Sequence, residues 1–290
     1  MRIRGMLFSL WWLGRSTKAI MREFFNYIKA DFIKTKHLSI LITHIAIPIG
    51  TAAVFLAYYS YVNWDGYEKV VTYYYVLGAG FPTLIGLFCA MLAEQELSAG
   101  TFQNMLSASK RPVAFFSKLL VLILFGMGAM LLVSVMFGTG YFFFLGQQYI
   151  RYSFYIEAAF VMMGSNIFLY ILHLFLALRF NKGLTIGLGI VESLLSALFL
   201  TRLGDGIWIF FPAAWTSRFV AMFLQRISTY DIINAGSAQS KISYADLQEW
   251  HSSIVTDWKA AIVICMVMTA GGISAYGIWA CRWDGIYGNE

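Results

Sequence analysis

The chain has 290 residues, of which 59% are hydrophobic and only 12% charged, and its mean hydropathy is +0.67. Soluble domains carry about 25% charged residues, so a water-soluble globular fold is excluded because too little charge is present to cover its surface. The net charge of +6 comes largely from the first 36 residues, and such a cluster favours contact with anionic lipid headgroups rather than with nucleic acid.

The N-terminal part of the chain divides at Met21. Residues 1–20 contain a short apolar patch between arginines, but no small-residue cleavage site follows it. We therefore treat 1–20 as an extension of uncertain status, since translation at Met1 and translation at Met21 both fit, and 21–290 as a single transmembrane domain. From Met21 onward, apolar residues recur with helical spacing, which predicts a helix lying in the membrane interface. The alternative is a plain extension of the first span.

Six later stretches are long and apolar enough to cross a bilayer, which takes about 20 residues per helix. They are residues 38–62, 71–93, 118–146, 154–178, 184–203 and 258–280. The short alternating segments of a membrane β-barrel are not seen. The sequence therefore predicts an all-α integral membrane protein with six transmembrane helices. Because basic residues concentrate at the termini and in the even-numbered connections, both termini are expected in the cytoplasm.

The connection between spans two and three is the most informative segment. Glu94 and Glu96 stand where a cytoplasmic loop usually carries bases, and Gly100 permits a tight turn. Residues 101–109 are then predicted to form a short helix with an exposed apolar face, ended by Arg111-Pro112. The apolar positions are Phe102, Met105 and Leu106. Such a helix, held along the membrane surface, is suited to docking a soluble partner.

His44, His173 and Glu192 lie well inside predicted spans. Charge at mid-membrane is costly, so Glu192 is expected to face protein or water. It either contacts a cationic substrate or latches a conformation, or it is a neutral carboxyl bonded to Ser193, Ser196 or a neighbouring helix. Each histidine is interpreted as a helix–helix hydrogen bonder rather than a ligand.

The connection between spans five and six, about 204–257, mixes aromatic and polar residues and is expected to be structured. Trp208 and Trp215 belong to a run too short to span, which suits an aromatic belt or a re-entrant hairpin at the outer surface. Glycines in spans two and five indicate close helix packing, within the chain or between subunits.

Sequence motifs for catalysis and for metal binding are absent. There is also no G-x-x-x-x-G-K-[ST] nucleotide cradle. The chain is therefore expected to be neither an enzyme nor a holder of cofactors. If it works against a gradient, the energy comes from a partner or an ion.

Two motifs resemble a known family. The run Ala99-Gly100-Thr101-Phe102-Gln103-Asn104-Met105-Leu106, which follows Glu94 and Glu96, resembles the coupling-helix loop of ABC-2 type permeases. It is closest to that of lantibiotic-immunity permease subunits, whose loop reads acidic-x-x-x-A-G-(N/T)-F-Q-N-(L/M)-L, with Asn commoner than Thr. Residues 211–218 are similar to their Pro-x-x-Trp segment before the last span.

The resemblance implies a permease subunit of an ATP-driven exporter in a bacterial cytoplasmic membrane. A separate ABC ATPase, acting as a dimer with ATP and Mg, would receive the loop, and a second, different permease would complete the channel. The docking residues implied are Glu94, Glu96, Gly100, Thr101, Phe102, Gln103, Met105 and Leu106. Independently of the resemblance, five residues are candidates for substrate contact or gating by their type and position: Glu192, His44, His173, Trp208 and Trp215.

The cargo implied is an amphiphilic antimicrobial peptide of lantibiotic or bacteriocin type, expelled from the membrane to give self-immunity or resistance. Three alternatives stay open: an ABC-2 permease for a drug or a lipid-linked glycan, an ion-driven carrier or channel, and an intramembrane enzyme. Carriers usually hold several intramembrane ions or matched broken helices, and intramembrane enzymes need clustered acids or histidines; the sequence shows neither pattern.

Overall fold

A computed structural model describes residues 20–35, 39–64, 66–108, 110–145, 151–234 and 244–285. These residues are almost entirely helical and include no strand, which confirms the all-α prediction. Residues 1–19 lie outside the described part, and so does the interpretation of the N-terminal extension. Side chains at 67 and 225–257 are also outside it.

The described residues form nine α-helices and two short 3₁₀ helices. In chain order they are α1 (20–35), α2 (Ser39–Tyr61), α3 (Gly66–Ser98), α4 (Gln103–Leu106), α5 (Arg111–Leu145), α6 (Ser153–Arg179), α7 (Lys182–Phe199), the 3₁₀ turns Arg202–Gly204 and Trp208–Phe210, α8 (Pro212–Asn234) and α9 (Tyr244–Arg282).

Six of the described helices are long and apolar enough to cross a membrane, as the sequence predicts. The candidate spans are Ser39–Tyr61, Glu68–Ser98, Arg111–Leu145, Ser153–Arg179, Lys182–Phe199 and Trp258–Arg282. α3 and α6 are the central pair. In the most apolar 18-residue stretch of each, 56% and 61% of the residues are buried, against 17% in the last span.

The boundaries around the connection between α3 and α5 differ from the predicted ones. α3 continues to Ser98 instead of ending at 93, because no glycine or proline occurs between Ala93 and Gly100. α5 begins at Arg111 rather than 118. Pro112, expected to break a helix, instead lies in the first turn of α5, where its missing N–H costs nothing. Span five also ends earlier, at Phe199.

Close contact between α3 and α7 depends on glycine. A methyl group added at Gly86 would lie 2.8 Å from the carbonyl oxygen of Thr185, and one at Gly189 would lie 2.8 Å from that of Pro82. At the same seam the Thr83 N–H donates to Ser193 Oγ at 3.0 Å. The predicted close packing of spans two and five is therefore present within one chain.

The segment after α7 folds back against the bundle instead of forming a surface belt. α8 packs on α3, α6 and α7, with Thr216 and Ser217 hydroxyls 3.0 and 2.9 Å from those of Ser165 and Ser196. Trp208 and Trp215 are 2% and 0% exposed, so the aromatic-belt interpretation is wrong for these two side chains. Residues 235–243 of the predicted loop lie outside the described part of the chain.

Helix α1 exposes several of its apolar side chains and buries two polar ones, Asp31 and Thr35. Met21, Phe25 and Phe32 are 54%, 60% and 40% exposed, whereas Asp31 is 5% exposed. An apolar outer face and a protein-facing acid suit a helix in contact with lipid. Its interfacial position stays a prediction, since residues 36–38, which would separate an interfacial helix from a simple extension of α2, lie outside the described residues.

Candidate functional site

The reversal of the chain after α3 is made by three consecutive residues with positive φ. Gly100, Thr101 and Phe102 have φ of 132°, 49° and 65°. Glycine adopts such angles freely, but a β-branched threonine pays for the left-handed conformation. The turn is fixed by the Thr101 N–H, which donates to the Leu97 carbonyl at 2.8 Å, and by the Gln103 N–H, which donates to that of Gly100 at 3.0 Å.

The single helical turn that follows, α4, buries its apolar side chains. Phe102 and Met105 are each 1% exposed and Leu106 is partly buried. The expectation of an exposed apolar face is therefore wrong, because these side chains find apolar partners at the ends of α5 and α9. Of the described residues of this loop, those left exposed are Ala99, Gly100, Thr101, Gln103, Asn104, Ser107 and Lys110. The surface offered to solvent is therefore mainly polar.

Phe102 packs on Trp283, the residue after α9, which in turn packs on Phe115 of α5. The Phe102 ring lies 5.1 Å from that of Trp283, edge to face, and Phe115 packs on Trp279 and Trp283 at 5.4 Å each. Arg111 Nη1 also donates to the Trp283 carbonyl oxygen at 2.9 Å. Sequence reasoning missed these partners. A tryptophan pair spaced i, i+4 at the end of the last span was the signal that pointed to them.

The two acids at the end of α3 have different surroundings. Glu94 is half exposed and accepts a hydrogen bond from Lys182 Nζ, at the start of α7, at 2.6 Å. Glu96 is buried, and its Oε1 accepts from Lys118 at 2.7 Å and from Lys34 at 3.1 Å. Both acids lie within α3, so neither is a loop residue, and Glu96 is not available at the surface for docking.

Lys118 also binds Asp31 of α1. Its Nζ lies 2.9 Å from Asp31 Oδ1, and Ser117 Oγ donates to Asp31 Oδ2 at 2.6 Å. One buried ammonium thus joins α1, α3 and α5. We call Asp31, Lys34, Glu96 and Lys118 the charge cluster. The sequence signal was Lys118 at the start of an apolar span and Asp31 next to the apolar positions of α1, and sequence reasoning missed their pairing.

His173 and Glu192 form a second buried polar contact, between α6 and α7. His173 Nε2 lies 2.6 Å from Glu192 Oε2. Glu192 therefore bonds to a neighbouring helix, one of the predicted options. The expected serine partners are engaged elsewhere, Ser193 with Thr83 and Ser196 with Ser217.

His44 makes no hydrogen bond to another helix among the described residues. Its Nδ1 donates to the Ile40 carbonyl of its own helix at 2.6 Å, and its ring stacks on Phe88 of α3 with 3.6 Å between centroids. Trp215 Nε1 donates to the Ile209 carbonyl at 2.7 Å, while Arg218 lies over the Trp208 ring. The five proposed substrate-contacting residues are thus dispersed over the bundle, and of these only His173 and Glu192 meet.

The loop, the charge cluster and the His173–Glu192 pair all fall within one region of sequence similarity. Residues 27–197, more than half of the chain, match the model of the family described as ABC-2 family transporter protein. The chain belongs to this family. It is therefore a multi-pass permease subunit of an ABC transporter and not its nucleotide-binding subunit, and family membership implies a partner ATPase.

The similarity does not reach every part of the permease. Trp208, Trp215 and α9 lie beyond the matched residues, and the single-domain assignment of 21–290 stays a prediction. Comparison with curated proteins and with solved structures found no match. Family membership thus gives the transport function but not the cargo.

Proposed function

We propose that this permease belongs to an ATP-driven exporter that removes lantibiotic- or bacteriocin-type peptides from a bacterial cytoplasmic membrane and so gives self-immunity or resistance. The observation that carries the proposal is the loop after α3. It has the Ala-Gly-Thr-Phe-Gln-Asn-Met-Leu order of the lantibiotic-immunity permeases, and its polar residues project from a turn anchored in the bundle.

The loop supports docking by a different surface from the one that the sequence suggested. Phe102 and Met105 anchor it to the ends of α5 and α9, while Gln103 and Asn104 are exposed. A rigidly held polar turn transmits force better than a freely hinged one, because displacement of the turn moves the helices that hold it. We propose that Gly100, Thr101, Gln103 and Asn104, with Glu94 at the edge, contact the ATPase.

The proposed complex contains an ATPase dimer, which binds ATP and Mg, and a second permease of different sequence. Both termini of the present chain, and with them the docking loop, would lie in the cytoplasm. The basic residues around α1 and at Lys110, Arg111 and Lys182 agree with this orientation. Cargo would enter sideways from the lipid, as the amphiphilic character of such peptides requires.

Co-purification tests the docking part of the proposal. Asn104→Trp adds bulk at an exposed position of the loop and should abolish capture of the ATPase. Leu203→Trp, at a 68% exposed position at the opposite end of the bundle, is the matched control and should leave capture intact. ATPase capture by both variants would refute loop docking, as would labelling of an Asn104→Cys variant from outside the cell by an impermeant maleimide, on a Cys281→Ser background.

Growth assays test the cargo. Cells producing the complete complex should survive higher concentrations of a cationic lanthionine-containing peptide than cells whose ATPase cannot hydrolyse ATP. Protection against a hydrophobic drug without protection against the peptide would instead favour the drug-exporter alternative. Accumulation of lipid-linked glycan in the ATPase-deficient cells, again without peptide protection, would favour the glycan alternative.

A further inference from the structure

The charge cluster joins three helices beside the proposed docking loop. The Asp31, Glu96 and Lys118 side chains are 7%, 2% and 4% exposed, and Lys34 is 33% exposed. Lys118 donates to both acids, at 2.9 and 2.7 Å. The cluster therefore connects α1, the last turns of α3 and the second turn of α5 through one ammonium group.

Glu96 also connects the cluster to the loop backbone. Its carbonyl oxygen accepts a hydrogen bond from the Phe102 N–H at 3.3 Å, while its carboxylate holds Lys118 and Lys34. Phe102 is the residue that closes the positive-φ turn. A displacement of the turn therefore acts directly on Glu96 and, through it, on Lys118.

Helix α1 meets the bundle with polar groups. Asp31 and Thr35 are buried, whereas Phe25 and Ile33 are each 60% exposed. An amphipathic helix that only rested in lipid would have no need to bury an acid. Burying charges is expensive, and buried ion pairs commonly add less stability than apolar residues of the same volume would. A buried cluster that spans three helices is therefore better explained by a positional requirement than by stability.

We propose that the charge cluster clamps α1 to the loop ends of α3 and α5, so that these three segments move as one unit when the ATPase displaces the loop, with Lys118 as the positioning residue. This inference rests on the proposed function, since it assigns a route for force from the docking loop. α1 is then part of the moving machinery rather than a passive membrane anchor. Through α5, which packs along α2, the displacement reaches the membrane-spanning part.

Transport measured per ATP hydrolysed tests the clamp in the complete reconstituted complex, with a cationic lanthionine-containing peptide as the probe. The neutral variant Asp31→Asn/Glu96→Gln/Lys118→Met keeps side-chain size and leaves no buried charge unpaired. It should assemble and hydrolyse ATP, yet move about tenfold less peptide per ATP, within the range usual for coupling between sites. Lys118→Arg should retain parental coupling.

Two controls separate a positioning role from general damage. The exposed ion pair between Arg151 and Glu157, whose side chains are 80% and 43% exposed, is removed by Arg151→Met/Glu157→Gln, which should leave the ratio unchanged. If the neutral triple variant does not fold, Asp31→Asn alone, which keeps the Glu96–Lys118 pair, should still lower peptide moved per ATP. A parental ratio in the triple variant, or in Asp31→Asn where the triple cannot be made, overturns the proposal.

A second measurement needs neither ATPase nor cargo. Spin labels at the exposed positions Ala30 and Ser98, on a Cys281→Ser background, report the distance between α1 and the end of α3 in the full-length chain. The parent should give one narrow distance distribution, and the neutral variant a broad one. Equal widths overturn the clamp. If the parent fails to couple to an ATPase but the widths differ, the proposed function fails while the clamp between α1 and α3 stands.

Discussion

Two glutamates in the last turns of α3 should respond very differently to the same substitution. Glu96 is 2% exposed and holds two lysines, one of them 4% exposed, whereas Glu94 and Lys182 are 50% and 60% exposed. Glu96→Gln leaves Lys118 buried with only Asp31 as counter-charge. Removing one member of a buried ion pair costs about 3–5 kcal/mol, and because Asp31 remains we expect the lower end, about 3 kcal/mol.

Glu94→Gln is the matched control, since it removes the same charge two residues away. Exposed ion pairs contribute about 0–1 kcal/mol, so its free energy of unfolding should lie within about 0.5 kcal/mol of the parent. Unfolding of the purified permease by SDS in mixed micelles, followed by circular dichroism, measures both values. Equal effects of the two substitutions would refute the burial argument, as would a loss below about 1 kcal/mol for Glu96→Gln, the loss expected of a surface pair.

Three further substitutions follow from the geometry. Thr101→Asn should stabilise the permease by about 1 kcal/mol in the same SDS titration, because asparagine adopts positive φ more readily than threonine. A loss of stability would contradict the inference that Thr101 is strained in the turn. Gly86→Ala should destabilise the permease by about 1–3 kcal/mol through overpacking against α7. Gly187→Ala is the control and should not, since nothing lies within 4 Å of the added methyl group. Similar SDS unfolding midpoints for the two variants would contradict the close packing of α3 and α7. Glu192→Gln keeps a hydrogen-bonding partner for His173 and should leave expression and peptide resistance unchanged. Glu192→Leu should lower the free energy of unfolding by about 1–3 kcal/mol, because it leaves a buried ring nitrogen of His173 unpaired. Equal expression of the two variants would argue against the His173–Glu192 pair.

The sequence predicted the spans well because the bilayer imposes a simple requirement. A run of about 20 apolar residues indicates a membrane helix, whatever that helix packs against. Six candidate spans are present in the described part of the structure. The loop motif likewise led to the correct family. Helix ends were less accurate: α3 runs on through Glu94 and Glu96, because helix propensity rather than hydropathy decides where a helix stops once it leaves the apolar stretch.

The loop shows where pattern alone failed. Phe102 and Met105 are apolar in a polar segment, and sequence cannot tell whether such residues face a partner or their own chain. The structure decides, because both side chains are 1% exposed and the Phe102 ring lies 5.1 Å from that of Trp283. The aromatic-belt interpretation of Trp208 and Trp215 was wrong for the same reason. A short aromatic run at a membrane edge is typical of a belt, yet α8 packs against three spanning helices and both rings are buried. The alternative, a re-entrant hairpin, stays a prediction.

Sequence by itself therefore determined that this protein lies in a membrane, where its six apolar helices occur and which motif identifies its family. Each of these depends on residues close together along the chain. Tertiary structure alone decided which charges meet. Asp31, Glu96 and Lys118 are separated by 65 and 22 residues, and nothing local marks them as partners. Their pairing depends on three helix ends converging at one place, where a buried charge without a counter-charge would be too costly to keep.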